Sequence, residues 1–402
     1  MVPDPAAVTT TQQGQDTSMT TSRTVGIVGA GQLARMMAQA AIPLDIHLVL
    51  LAADPEDGAA MVVPDVLVGS PDDPEALRRL AERCDVLTFD HELVDPETLA
   101  ALEADGHVVW PSSATMALAQ NKRRQRAELH AAGMPVPAFR HVERVEDVID
   151  FAAGQQWPVV LKASRGGYDG RGVWVVRDEA EAREVVADAH ANGLVLLAEQ
   201  YLDLQRELAV LVARRANGEL AVWEPVETVQ QDGICVELCV PVEAETRLIA
   251  EAASIARAIA ERIEAVGVLA IEFFIAGDTL YVNELAPRPH NSGHWTIEGA
   301  ATSQFEQHLR AVLDLPLGET AMRAPVVATT NLLGPADGSD PLARLPQAVA
   351  VRGAHVHLYG KGARAGRKLG HVTTLGKERD ETRQRAAIAV ALLRGEGGME
   401  DA

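Results

Sequence analysis

No apolar run in this chain approaches the roughly 18 residues that a membrane-spanning helix requires, so the sequence predicts no span of a bilayer. Cysteine is nearly missing. Cys84, Cys235 and Cys239 are odd in number, and none belongs to a Cys-x-x-Cys pair. A metal site built on them would need further ligands nearby, so the expectation is three buried thiols in a reducing cytosol, two of them on the strand-like ICVELCV. Basic charge is in deficit: 36 Lys and Arg face 57 Asp and Glu, for a formal charge of −21. Such a chain repels nucleic acid and anionic membranes unless a local basic patch overrides the field. Aromatic residues are 4% of the total. Residues 1–22 contain neither an apolar core nor a Lys or Arg, which excludes a signal or transit peptide; they read as a disordered leader of a cytoplasmic protein.

What is present is ordinary for a globular protein: 47% apolar and 23% charged residues. A chain of 402 residues is too long for one core. Residues 23–112 alternate strand and helix: VGIV, IHLVLLAADP, DVLTFD and VVW as strands, with helices between them, which predicts a parallel α/β sheet. From Ser112 the rhythm changes. SATMALAQNKRRQRAELHAAG reads as one helix from a Ser cap to Gly133, followed by hairpins and helices of an α+β region over 113–320. One of these helices should turn Leu248, Ala252, Ile255, Ile259 and Ile263 inward. A small domain is expected over 321–380 and a helix or tail over 381–402.

Several stretches carry chemistry. GAGQLA, a turn between strand and helix, can cradle a dinucleotide pyrophosphate with Asp54 as the ribose acid, or can serve simply as a tight turn. LKASRGGYDGRGVWVV sets Lys162 on a strand before a loop containing Gly166, Gly167, Gly170 and Gly172, with Arg165 and Arg171 beside them. Such a loop can wrap backbone N–H groups around phosphates, although it lacks the spacing of a P-loop. IEFFIAGDTLYVNEL reads as a hairpin turning at Ala276, Gly277 and Asp278. In that register Glu272 opposes residue 282 and lies diagonal to Glu284 on the same face. Two acids on an apolar hairpin repel each other, and Mg²⁺ removes that difficulty, with Asn283 adding an oxygen. AEQYLDLQRE offers a strand exit and two acids, Glu199 and Glu207, suited to adenosine. NELAPRPHNSGH then supplies Arg288 and His290 between stiffening prolines, and Lys361, Arg364, Arg367 and Lys368 make a locally basic tail.

Together, the strand Lys, the glycine-rich loop and the Asn-Glu hairpin resemble the ATP-grasp superfamily. Within it, VGIVGAGQLARMM, GGYDGRG, NELAPRPHNSGHWT and YGKGARAGRKLGH resemble the N5-carboxyaminoimidazole ribonucleotide synthases. The resemblance implies an ATP-grasp fold behind a Rossmann-like domain. It implies carboxylation of 5-aminoimidazole ribonucleotide by ATP and bicarbonate through carboxyphosphate, with Mg²⁺ (or Mn²⁺) as cofactor, in a homodimer. It assigns ATP to Lys122, Lys162, Gly167, Tyr168, Asp169, Gly170, Arg171, Gly172, Glu199, Gln200, Tyr201, Leu202, Glu207, Gln230, Asn283 and Glu284, and the metal to Glu272 and Glu284. The ribotide falls to Gln32, Leu33, Tyr168, Asp169, Arg288, His290, Lys361, Arg364 and Arg367. The catalytic groups are Arg288, His290, Asp169 and Arg171. The chain departs from the family in LTFDHELV, where His91 and Glu92 replace an acidic run, in Gln230 for a frequent His, in Val173 for a common Gln, and in Lys122 for a usual Arg. The nearest alternative is another ATP-grasp enzyme on a different ribotide, such as a formate-dependent glycinamide ribonucleotide transformylase.

Overall fold

The computed structural model describes residues 23–167 and 172–396. The expectations for residues 1–22, for Tyr168, Asp169, Gly170 and Arg171, and for residues 397–402 fall outside them.

β1 (Arg23–Val28), β2 (Ile46–Ala52), β3 (Val66–Val68) and β4 (Val86–Phe89) pair in parallel in the order β3-β2-β1-β4. β1 from Val25, β2 apart from His47, and β4 are buried, as strands covered on both faces of a sheet are. The predicted VVW strand is corrected. Val109 makes only a single bridge to Leu87, because Pro111 has no N–H to continue the ladder, and the edge strand is Val66–Val68 instead. Of the helices α1 (Gln32–Ala41), α2 (Pro74–Ala81) and α3 (Pro96–Ala104), the last two start on Pro behind a capping Asp73 and Asp95.

The single helix expected from Ser112 to Gly133 is two: α4 (Ser113–Gln120) and α5 (Lys122–Ala131). Asn121 breaks it. Its backbone is extended, its Oδ1 accepts from Arg124 N at 3.1 Å and from Ser164 Oγ at 2.9 Å, and Lys122 N donates to Ser164 O. A local Asn cap with a tertiary partner outweighs one more helical turn here.

Two antiparallel sheets follow. β5 (Phe139–Val142), β6 (Val159–Ala163), β7 (Val173–Val176) and β8 (Leu196–Gln200) form the smaller, in the order β5-β8-β6-β7, sharing a core with α6 (Val145–Gln155) and α7 (Glu179–Ala191). The larger contains β9 (Arg206–Arg214), β10 (Leu220–Val222), β11 (Val226–Gln231), β12 (Ile234–Val240), β13 (Gly267–Ala276) and β14 (Thr279–Ala286). It continues through β15 (Val326–Leu333), β16 (His355–Leu358) and β17 (Lys368–Gly376), since β12 pairs with β15. The order is β14-β13-β9-β11-β12-β15-β17-β16, with β10 beside β9. α8 (Thr246–Arg262) lays Leu248, Ala252, Ile255 and Ile259 against this sheet, joined by Ile263 at its C-cap, as the 3.6-residue spacing predicts. α9 (Thr296–Gly299), α10 (Gln304–Val312), α11 (Leu345–Val349) and α12 (Arg379–Arg394) complete the fold.

α10 ties the first domain to the second. Phe305, Leu309 and Val312 are buried in one core with Val25, Ile27, Leu33 and Met37. Its His308 accepts from Val268 N at 3.0 Å on Nδ1, leaving Nε2 to donate to Thr88 Oγ1 at 2.7 Å. Burial holds that imidazole neutral, down to about 3.

Candidate active site

The β13–β14 hairpin places its acids more closely than the simple register predicts. The turn is two residues, Gly277 and Asp278, so Ala276 pairs with Thr279 and Phe273 with Val282. A bulge then sets Glu272 directly opposite Glu284, not diagonal to it, with Asn283 as the extra residue. Without that bulge Asn283 would oppose Glu272 and Glu284 would turn to the other face. The Asn283 amide joins the site as well: Nδ2 donates to Glu272 at 3.2 Å, and Oδ1 accepts from Lys162 Nζ at 3.2 Å. Burial first, then Glu284 and Glu207, push Glu272 up to about 7. A divalent cation fits this pair, because it would remove the repulsion and accept hard oxygen ligands. Among the described residues no group of three or more His, Cys, Asp and Glu could hold a metal, so a cation here would draw further oxygens from its ligand.

The cations sit where the smaller sheet faces this hairpin. Lys162 on β6 is buried and lies 2.7 Å from Glu199, whose other oxygen receives Arg126 Nε at 2.6 Å. Burial lowers the lysine, while the two cations hold Glu199 down to about 2. Glu199 therefore turns its carboxylate to Lys162, and the next acid, Glu207, is the one beside Gln230, which donates to it. Burial raises Glu207 above the usual carboxylate range. Tyr201 is exposed and Leu202 and Gln200 half-exposed at the exit of β8. Lys122 Nζ bonds Glu284 at 2.5 Å. Gly167 and Gly172 flank the undescribed part of the glycine loop, and Ala163 N donates to Gly172 O at 2.7 Å.

Beyond β14 the chain turns sharply. Arg288 makes two bonds to Glu92, one of them at 2.9 Å, so the residue that departs from the family pattern is a direct partner of a predicted catalytic arginine. The pair holds Glu92 down to about 2 despite its burial. His290 lies 3.8 Å from Glu272 through Nε2, and Nδ1 bonds Ser292 Oγ at 2.8 Å. Burial lowers it to about 3, aided by Arg288, so it is neutral at physiological pH. Gln304 clamps its backbone, accepting from His290 N at 2.8 Å and donating to His290 O at 2.7 Å. Neither Gln304 nor Arg126 was expected from the sequence. Arg126 had a signal, since it lies one helical turn from Lys122 on α5; Gln304 had none.

The GAGQLA turn is not free for a dinucleotide. Asp90 takes two donors at the start of α1, accepting from Gly31 N at 2.5 Å and Ala34 N at 3.1 Å. A Cβ at Gly31 would lie 2.5 Å from that carboxylate, which accounts for the glycine. A pyrophosphate would have to displace an anion already bonded there, so the nicotinamide reading fails and Asp54 has no ribose to hold. Gln32 instead accepts from Lys361 Nζ. Leu33 is 5% exposed and packs in the core, leaving only its backbone to border a ligand. Arg364 and Arg367 are exposed near Lys361; burial and then Arg367 lower Lys361, a cluster of like charges that calls for an anion. The three thiols carry no chemistry: burial pushes Cys84, Cys235 and Cys239 up to about 11, 12 and 11.

Comparison with known proteins agrees with this geometry. Residues 22–120 match the ribonucleotide synthetase preATP-grasp domain, 127–305 the ATP-grasp domain and 328–385 the phosphoribosylaminoimidazole carboxylase C-terminal domain. N5-carboxyaminoimidazole ribonucleotide synthase of Mycobacterium bovis is 48% identical over 380 residues, covering 92% of this chain and 87% of the relative. The synthetase structure from Thermus thermophilus aligns with a TM-score of 0.83 at 37% identity, covering 94% of this chain and all of the other. The synthase structure from Aspergillus clavatus, in complex with ADP and 5-aminoimidazole ribonucleotide, aligns with a TM-score of 0.85 at 31% identity, covering 92% and 98%.

Proposed function

The chain belongs to the N5-carboxyaminoimidazole ribonucleotide synthase family and is an ATP-dependent ligase of purine biosynthesis that carboxylates 5-aminoimidazole ribonucleotide; from that premise we propose how its residues divide the work. The reading rests above all on the direct Glu272–Glu284 pair with Asn283, facing Lys162 and next to His290.

Lys162 and the glycine loop from Gly167 to Gly172 hold the ATP phosphates. Gln200, Tyr201 and Leu202 receive adenine, and Glu207, aligned by Gln230, receives the ribose. Glu199 keeps Lys162 charged in a buried place. Glu272, Glu284 and Asn283 would hold Mg²⁺, which would supply charge neutralisation for the phosphoryl transfer. Lys122, bonded to Glu284, adds positive charge beside the phosphates. A bicarbonate oxygen then attacks the γ-phosphorus as the bond to the bridging oxygen of ADP breaks, giving carboxyphosphate; such transfer depends mainly on positioning and charge neutralisation. Arg288 and His290 hold the bicarbonate. A neutral His290 can exchange hydrogen bonds with that anion without adding charge. The amine of the ribotide, held by Tyr168, Asp169 and Arg171, takes the carboxyl group, phosphate departs, and the amine loses its proton. Lys361, Arg364 and Arg367 bind the ribotide phosphate, with Gln32 fixing Lys361. Reduced, unreactive thiols suit a cytosolic place.

The test is phosphate release from Mg-ATP with aminoimidazole ribonucleotide and bicarbonate each omitted in turn. Release is expected only with both. Release indifferent to the ribotide, or requiring glycinamide ribonucleotide and formate, would contradict the reading.

A further inference from the structure

Three histidine rings form a column behind the site. His294 stacks on His371 at 4.8 Å between centroids, and His371 stacks on His357 at 4.5 Å, with interplanar angles of 25° and 15°. His294 and His371 are buried, at 1% and 0% exposure. His371 and His357 face each other across β17 and β16, while His294 follows the bicarbonate segment. The column is therefore a seam between the two substrate-binding parts of the large sheet.

Two of its rings reach ligand-binding residues. At one end Gln304, which clamps the His290 backbone, lies 3.3 Å from His294 Nδ1. From the middle ring, His371 Nδ1 bonds Tyr359 Oη at 2.8 Å, and Tyr359 is buried two residues before Lys361. Lys361 Nζ in turn lies over the Tyr359 ring, 5.9 Å from its centroid. The phenol keeps its proton, since burial pushes it well above its usual range. His371 Nε2 has no hydrogen-bond partner among the described residues, so one hydrogen bond and two stacked rings fix this imidazole. His357 closes the column by bonding Glu298 on α9 at 2.7 Å, which returns to the segment that bears His294.

We propose that Gln304, His294, His371 and Tyr359 are positioning residues that set the distance and orientation between His290 and Lys361, and so align bicarbonate activation with the ribotide amine. The proposal rests on the function assigned above. Rigid coupling matters for this reaction because carboxyphosphate lost to water consumes ATP without product. Packed rings and hydrogen bonds in a single arrangement hold the groups they support at a fixed distance and orientation.

The experiment compares wild type with Tyr359→Phe and His371→Phe. Each leaves an aromatic ring at its position and removes the same hydrogen bond. Both should raise the KM for the ribotide about three- to tenfold with the KM for ATP unchanged. Both should also raise the ADP formed per carboxylated product above the wild-type ratio. His371→Asn, which returns an acceptor toward Tyr359, should recover part of the coupling. A merely structural role would lower turnover or Tm at an unchanged ratio, and that result overturns the proposal. Should His371→Phe fail to fold, Tyr359→Phe decides alone. A wild-type enzyme that needs no ribotide would instead refute the assigned function, which is a separate outcome.

Discussion

Glu272 shows what a single residue contributes and costs. Its carboxyl is raised from 4.5 to about 7 by burial and by Glu284. Above pH 4.5 the unfolded chain gives up this proton while the folded chain retains it, so folding loses stability as pH rises from there to about 7. Glu272→Gln removes that loss. The variant should be more stable than wild type at pH 8 without nucleotide, by about 2 °C in Tm, and inactive. Differential scanning calorimetry and a turnover assay check both halves; an active variant would remove Glu272 from the metal site. The identities of these acids were legible from the sequence, because acids amid Ile, Phe and Val need a partner. Their direct pairing was not, since a bulge leaves no mark in the alternation of side chains. Glu92 was read only as a departure from a pattern, and its bonds to Arg288 required two segments distant in sequence to meet.

Among the elements, the break between α4 and α5 has most bearing on the site. Propensity and periodicity continue through Asn121, so the sequence read one helix. The decisive interaction is tertiary: Ser164, at the end of β6, bonds both the Asn121 side chain and the Lys122 backbone. That break points Lys122 toward Glu284 and turns Arg126 toward Glu199. Asn121→Ala should cost about 1 kcal/mol through loss of the cap. It should also raise the KM for ATP, because Lys122 loses its fixed start. Urea unfolding and steady-state kinetics measure these effects, and an unchanged KM would separate the break from phosphate binding. Strands and helices with strong periodicity, such as β13 and α8, were readable throughout; short ones decided by partners, such as Val66–Val68, were not.

At the scale of the molecule, the ATP-grasp and C-terminal segments share one continuous sheet, and α10 is embedded in the core of the first domain. The alternating βα rhythm announced that first domain, but nothing in the sequence signalled that Phe305 and Leu309 would complete its core. Three buried imidazoles, His294, His308 and His371, and the half-buried His290 are all lowered by burial. The unfolded chain takes up protons near pH 6.5 where the folded chain does not. Stability should therefore fall as pH drops from 6.5, by up to about 1.4 kcal/mol per pH unit for each such group. Glu92 and Glu199, held down to about 2, add to the loss below 4.5. The urea midpoint should be clearly lower at pH 5 than at pH 7; equal midpoints would mean that these histidines are not buried neutral.

In the proposed chemistry this site activates bicarbonate by phosphorylation before the ribotide amine takes the carboxyl group. Turnover with ¹⁸O-labelled bicarbonate, with the inorganic phosphate analysed by mass, reads that order of events. One ¹⁸O atom is expected in each phosphate released, carried from the attacking bicarbonate oxygen. Phosphate free of label in the presence of carboxylated product would contradict it.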